Sequence, residues 1–203
     1  PAWSPPASIP SYSSRSFDVL WCGHLNQEAK NVLFFIGLCE HLVQVHPGIN
    51  IRIVGAGAFE DVLKERLSDA GIQYSHDRFV TWDRMVEVYA SAKCLLLPST
   101  WEAWGLVCNE ALQCGVPCVV SPSTGAAGEI VIDGSNGRVV DLHIDEWARA
   151  VLSIVRDEKL WTEYSQRARA TCTSSALEES AEAFMTCVGS TSCNETTQVQ
   201  IRC

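Results

Sequence analysis

Glu102 and Glu110 bracket Gly105 in the stretch Pro98-Ser-Thr-Trp-Glu102-Ala-Trp104-Gly105-Leu106-Val107-Cys-Asn-Glu110. An apolar run, Cys94-Leu-Leu-Leu97, leads into Pro98, and a helical pattern starts near Gly105. The first amides of a helix have no intrahelical partner and lie at the positive end of its dipole. A glycine at that point lets a large anion come close to the backbone, so the loop is built to accept a phosphate. Glu102 is placed to accept hydrogen bonds from hydroxyls above the helix start. Glu110, in the second turn, is placed to accept from a vicinal diol such as a ribose. Two glutamates around a helix start are also ordinary first-turn stabilisers and solvated charges, and spacing alone leaves both readings open.

A second glycine loop, Gly55-Ala-Gly57, also follows an apolar strand and precedes a helix. The third glycine of a dinucleotide-binding fingerprint would fall on Glu60, whose bulk and charge oppose close helix–strand packing. The loop reads as a tight turn bordering a site rather than a dinucleotide clamp.

Elements that alternate strand and helix must position these loops. Strands are expected at 17–22, 50–54, a short one within 73–80, and at 94–97, 116–121 and 138–140. Helices are expected at 29–45, 59–70, 83–92, 105–114, 144–155 and 158–170, and a last one at 175–188. Continuous apolar strands between amphipathic helices indicate a Rossmann-like, doubly wound parallel sheet, an α/β domain covered on both faces. Such sheets bind ligands at the carboxyl ends of their strands. Residues 1–16, rich in Pro and Ser, read as a linker or arm, 17–172 as the domain, and 189–203 as a disordered tail.

The chain has 203 residues, enough for one compact domain. Its formal net charge of -9 argues against nucleic acid as a partner, because backbone affinity for DNA or RNA rests on clustered Lys and Arg. The longest apolar run, Val32-Leu-Phe-Phe-Ile-Gly-Leu-Cys39, is too short to cross a bilayer. No charged segment followed by an apolar one opens the chain, so no secretory signal is expected, and a start at Pro1 reads as processing or a fragment. Cys22, Cys94, Cys108, Cys114 and Cys118 fall in apolar runs without CxxC spacing, which favours reduced thiols and a cytoplasmic location, or the cytoplasmic face of a membrane. Cys187, Cys193 and Cys203, near the Asn194-Glu-Thr196 sequon, would be free to pair in an oxidising compartment.

Glu102 and Glu110 with the interior Ala-Trp-Gly-Leu-Val-Cys-Asn resemble the E-x7-E motif of the large family 4 of retaining glycosyltransferases. Glu110-Ala-Leu-Gln-Cys-Gly115-Val-Pro117-Cys-Val-Val-Ser121 is similar to that family's EA-x-x-x-G-x-P-V-V-x-S. Gly23-His24-Leu with Lys30-Asn31, Ile53-Val-Gly55-Ala-Gly57, Tyr89-Ala with Leu97-Pro98-Ser99, and Glu129-Ile-Val-Ile-Asp133-Gly134 with Asn136-Gly137 resemble its other motifs, in its order. The resemblance covers 17 to about 172.

The resemblance implies the donor-binding, C-terminal half of a GT-B enzyme, with two facing Rossmann-like domains in the whole. It implies transfer of a sugar, with retained anomeric configuration, from a nucleoside-diphosphate sugar that is substrate rather than cofactor. No cofactor and no metal are expected, and no Asp-x-Asp metal site is evident. Carried over by position, Glu110 holds the ribose; Glu102, with the backbone at Trp104, Gly105 and Leu106, holds the transferred sugar. The Leu106 and Val107 amides and Lys30 meet the diphosphate, Gly23 and His24 flank it, and the backbone near Val80 and Trp82 borders the base. Glu102 and Lys30 are the implied catalytic pair.

The sequence departs from the family in two places that matter. His24 stands where an arginine is usual, exchanging a permanent bidentate cation for an imidazole; a backbone-bonded, structural histidine is the competing role. The resemblance also implies an N-terminal, acceptor-binding domain that is expected outside these 203 residues. A non-catalytic nucleotide-sugar-binding module is therefore the second reading, and an oxidoreductase the third. The face carrying Trp101, Trp104 and the loop 121–127 is expected to be open to solvent. The helix at 175–188 is expected to present Leu177, Ala181, Phe184 and Val188 as an apolar stripe.

Overall fold

A computed structural model of the chain describes residues 5–25 and 28–171. The expected final helix, its apolar stripe, the tail, the C-terminal cysteines and the sequon lie outside the described residues.

Six parallel strands form one sheet in the order β3-β2-β1-β4-β5-β6. They are β1 (Phe17–Cys22), β2 (Asn50–Val54), β3 (Gln73–Asp77), β4 (Ala92–Leu97), β5 (Cys118–Val120) and β6 (Gly137–Val139). The helices are α1 (Val32–Val45), α2 (Glu60–Asp69), α3 (Met85–Ala90), α4 (Leu106–Gln113), α5 (Ile144–Val155) and α6 (Glu158–Thr171). This is the expected doubly wound, Rossmann-like α/β sheet. Strand order reverses between β1 and β4, and the crevice at the carboxyl ends of these two strands is where such sheets take ligands.

Both faces of the sheet are covered, which is why the strands are apolar at consecutive positions rather than alternate ones. In β1, Val19 and Trp21 enter a core with α1, α2 and α5, while Leu20 enters a second core with α3 and α4. Cys94 and Leu96 of β4 face the first core, and Leu95 and Leu97 face the second. Trp21 packs on Phe35 with ring centroids 4.6 Å apart, and Trp147 of α5 is fully buried with its indole N–H satisfied by the Asp141 carbonyl at 3.0 Å.

Several boundaries differ from expectation. The first helix begins at Val32, not near residue 29, because Asn31 takes a left-handed conformation (φ 58°) and breaks the ladder. Lys30 thereby lies in a separate 3-10 turn, Glu28–Lys30. The short strand expected within 73–80 does form, as Gln73–Asp77, and Arg78, Phe79 and Val80 lie outside the sheet. The helix expected over 83–92 divides into a 3-10 turn, Trp82–Arg84, and α3, and Ala92 joins β4 instead.

The part of the linker or arm that is described, residues 5–16, docks on the domain. Tyr12 meets Trp161 edge-on at 5.6 Å, with the Lys93 ammonium 4.2 Å from its ring. Arg15 is buried and donates to the carbonyls of Ala92 at 2.6 Å and Cys114 at 3.1 Å. Those two carbonyls belong to the start of β4 and the end of α4, so the arm ties together the elements that carry the Glu102–Glu110 loop. Burial lowers the Arg15 guanidinium to about 10.

Candidate functional site

The residues singled out from sequence converge on the carboxyl ends of β1 and β4. A cleft of about 480 Å³ opens there, and its walls include Gly23, His24, Val80, Trp82, Val107 and Glu110. Backbone bonds draw its rim together. Gly23 N–H donates to Val54 O at 3.0 Å and Leu25 N–H to Ala56 O at 3.0 Å, joining the loops after β1 and β2.

Glu110 sits half-buried in the second turn of α4, with Val107 one turn before it on the same helix face. Burial pushes its carboxyl above the ordinary value, and the Tyr89 hydroxyl, donating to Oε2 at 2.5 Å, works against that shift. His24, at the end of β1, is exposed on the cleft wall.

Beyond the cleft lie the other predicted residues. Lys30 and Glu102 form an ion pair with each other, both largely shielded from water. The Lys30 stem runs beside Gly23, where an added methyl would sit 3.7 Å from its Cε, so the pair adjoins the cleft. Thr100 N–H donates to Ala29 O at 2.8 Å, fastening the two loops that carry the pair. Gly105 begins α4 at φ 96° with no side chain capping the helix and no acidic residue in the first turn. Leu106, the first helical residue, is 70% exposed. Trp104 donates its indole N–H to Asn109 at 2.7 Å, which pins the exposed ring over the helix start.

The loop expected to be open, 121–127, is largely packed instead. Ser121, Thr124 and Ala126 are buried, and only Pro122 and Ser123 are exposed. It is zipped to the Glu102 loop through Glu102 N–H to Ser123 O, Gly125 N–H to Glu102 O and Ala126 N–H to Trp104 O. Its role is to brace Glu102. Trp101 and Trp104 do face solvent, as expected. Asn136, part of a matched motif, is buried and closes its own turn by accepting from Ile132 N–H and donating to Ile130 O, each at 2.8 Å.

Sequence reasoning missed Cys22, Arg78, Phe79, Met85 and Tyr89 as cleft walls. Tyr89 carried a signal as part of a matched motif, but nothing in its spacing links it to Glu110.

The family model for glycosyl transferases group 1 matches residues 12–171. The chain belongs to this family. A D-inositol 3-phosphate glycosyltransferase from Paenarthrobacter aurescens is 31% identical over 149 residues, covering 70% of this chain and 36% of the relative. The chain spans between 13% and 38% of the length of the curated relatives it matches. Among solved structures, an S. aureus TarM mutant in complex with Fondaparinux, alpha-GlcNAc-glycerol and UDP superposes with a TM-score of 0.73 at 19% identity, over 90% of this chain and 37% of that one. The C-terminal domain of the group 1 glycosyl transferase LpcC from Francisella tularensis gives 0.70 at 20% identity, over 81% and 86% of the two chains. At these identities the likeness is one of fold.

Proposed function

We propose that this chain is the donor-binding half of a retaining glycosyltransferase. It holds a nucleoside-diphosphate sugar while a second domain, outside this chain, presents the acceptor. The observation that carries the reading is a path of neighbouring residues: Gly23 joins the cleft that Glu110 lines to the Lys30–Glu102 pair, and α4 starts uncapped three residues after Glu102.

Along that path the base lies against the Val80–Trp82 segment, the ribose diol donates to Glu110, and the diphosphate meets Lys30 and the Leu106 and Val107 amides. The sugar hydroxyls donate to Glu102, next to the backbone of Trp104 and Gly105. Donor binding exchanges the Lys30–Glu102 pair for Lys30–phosphate and Glu102–hydroxyl contacts. As the bond from the anomeric carbon breaks, its electron pair stays with the diphosphate. The helix dipole and Lys30 meet that charge without a metal, and fixed donors act most strongly where charge develops. UDP in the TarM complex, on the same fold, fits this donor class. Cys22, Cys39, Cys94, Cys108 and Cys114 as free thiols suit the reducing cytoplasm.

Calorimetry with UDP, GDP and their sugar conjugates tests the assignment. Glu110→Ala should lose about 1.5–3 kcal/mol of affinity for the free nucleotide. Glu102→Ala should weaken the sugar conjugate more than the nucleotide. Parent-like binding by both variants would sink the reading. His24 in the arginine position favours the second reading, a binding module without turnover. Transfer after the acceptor-binding domain is supplied separates the two, since a module would bind donor and still transfer nothing.

A further inference from the structure

We infer that Tyr89 is a positioning residue for the donor ribose: its buried hydroxyl holds one oxygen of Glu110 and leaves the other to accept from the diol. This rests on the proposed role of Glu110. Tyr89 is fully buried on α3, and its ring lines the cleft floor. Its hydroxyl donates to Glu110 Oε2 at 2.5 Å across the gap between α3 and α4, and lies 3.9 Å from the Cys22 sulfur at the end of β1. Three elements thus meet at the tyrosine hydroxyl.

The physical need is clear from the side chain involved. A glutamate has three rotatable bonds, and a loosely held carboxylate must give up rotamer freedom when the ribose binds. A charge-assisted bond from a rigid, buried phenol removes that freedom beforehand. An ionised carboxylate accepts at two oxygens, so one donor at Oε2 holds it and leaves the other oxygen for the ribose hydroxyls. The same bond works against burial, which raises the proton affinity of the half-buried carboxyl. Tyr89 keeps its own proton, since burial holds the phenol well above its ordinary value.

The other ionisable groups about Glu110 are Cys22 on β1, Cys114 at the end of α4, and His24 and Arg78 on the cleft wall, with Lys30 acting on Cys22 from the loop after β1. None of these groups hydrogen-bonds the carboxylate; among the described residues that bond comes from the Tyr89 hydroxyl.

The test compares UDP with 2′-deoxy-UDP by calorimetry on the parent chain, Tyr89→Phe and Glu110→Ala, between about pH 5 and about pH 8. The parent should prefer UDP, and that preference should fade as acid protonates Glu110. Tyr89→Phe should lower UDP affinity about tenfold, leave 2′-deoxy-UDP nearly unchanged, and move the acid loss to higher pH. Equal losses for both ligands, or an unchanged profile, would overturn the positioning role. If Glu110→Ala itself keeps the UDP preference, the ribose assignment fails instead, and the two failures are told apart. Should Tyr89→Phe not fold, the tyrosine Raman doublet reads the same bond. It should weaken as a donor in Glu110→Gln, and an identical spectrum would overturn the inference.

Discussion

Two loops in this molecule look alike in sequence and differ in what surrounds their helix starts. Gly55 ends β2 and leads into α2; Gly105 follows β4 and leads into α4. Both therefore bring a glycine and a helix N-terminus to the same end of the sheet, where an anion would be welcome. The first is closed by its own chain. Glu60 and Asp61 occupy the first turn of α2, and Glu60 is held by Lys64 at 2.6 Å and Arg78 at 2.9 Å. Gly55 is pressed onto the loop after β1, so that a methyl there would lie 1.8 Å from the Gly23 carbonyl oxygen. The second is open: no side-chain cap, no acidic first turn, and an exposed first residue. A helix start serves a ligand only where the protein has not already filled it.

The largest expected effect is at the closed loop. Gly55→Ala puts a side chain against backbone that cannot yield, at a φ of 141°. It should cost more than about 3 kcal/mol, seen as a fall of roughly 10 °C in Tm. A Tm within a degree or so of the parent would show that the close approach is not what shapes this loop.

At the open loop the same substitution should separate stability from binding. In Gly105→Ala the new methyl meets the side chains of Leu97 at 3.1 Å and Thr124 at 3.2 Å, which can shift. The left-handed backbone should cost about 1–2 kcal/mol, while UDP affinity falls about tenfold as the phosphate cradle moves. Undiminished UDP binding in a folded Gly105→Ala protein would remove the helix start from the site.

The smallest effect belongs to the carboxylate that closes α2. The Glu60 carboxyl is held below its ordinary value, chiefly by the hydrogen bond from Lys64 and then by Arg78. A lowered folded value contributes stability above the unfolded value and loses it as pH falls through the folded one. Glu60→Gln should therefore flatten the acid limb of stability below about pH 4.5 without lowering UDP affinity. A loss of UDP binding would mean that both helix starts serve the ligand.

Much of this was legible beforehand because strand and helix periods report local burial. Consecutive apolar positions in 17–22 and 94–97 marked doubly covered strands, and Glu60 in the third glycine position told against a dinucleotide clamp at Gly55. Sequence places a short strand within 73–80 without fixing its end, and the structure ends it at Asp77 and gives Arg78, Phe79 and Val80 to the cleft wall. The loop 121–127 is expected to be open because the family resemblance sets it on one wall of a two-domain cleft, and its composition does not contradict that. Its Ser, Thr and Gly content is that of a solvated turn, yet its polar groups are spent on bracing Glu102.

Residue type and spacing were enough to place Glu102, Gly105 and Glu110 around one helix start, because those positions are set by chain connectivity over a single loop and two helical turns. Connectivity says nothing about partners brought in from elsewhere in the fold. Lys30 meeting Glu102 across 72 positions, Tyr89 holding Glu110 across 21, and Arg15 joining the start of β4 to the end of α4 all depend on how the strands are ordered in the sheet. That order puts β1 beside β4, although two strands and three helices separate them in the chain. Only the packed sheet turns such distant positions into neighbours, and with them a helix start into a site.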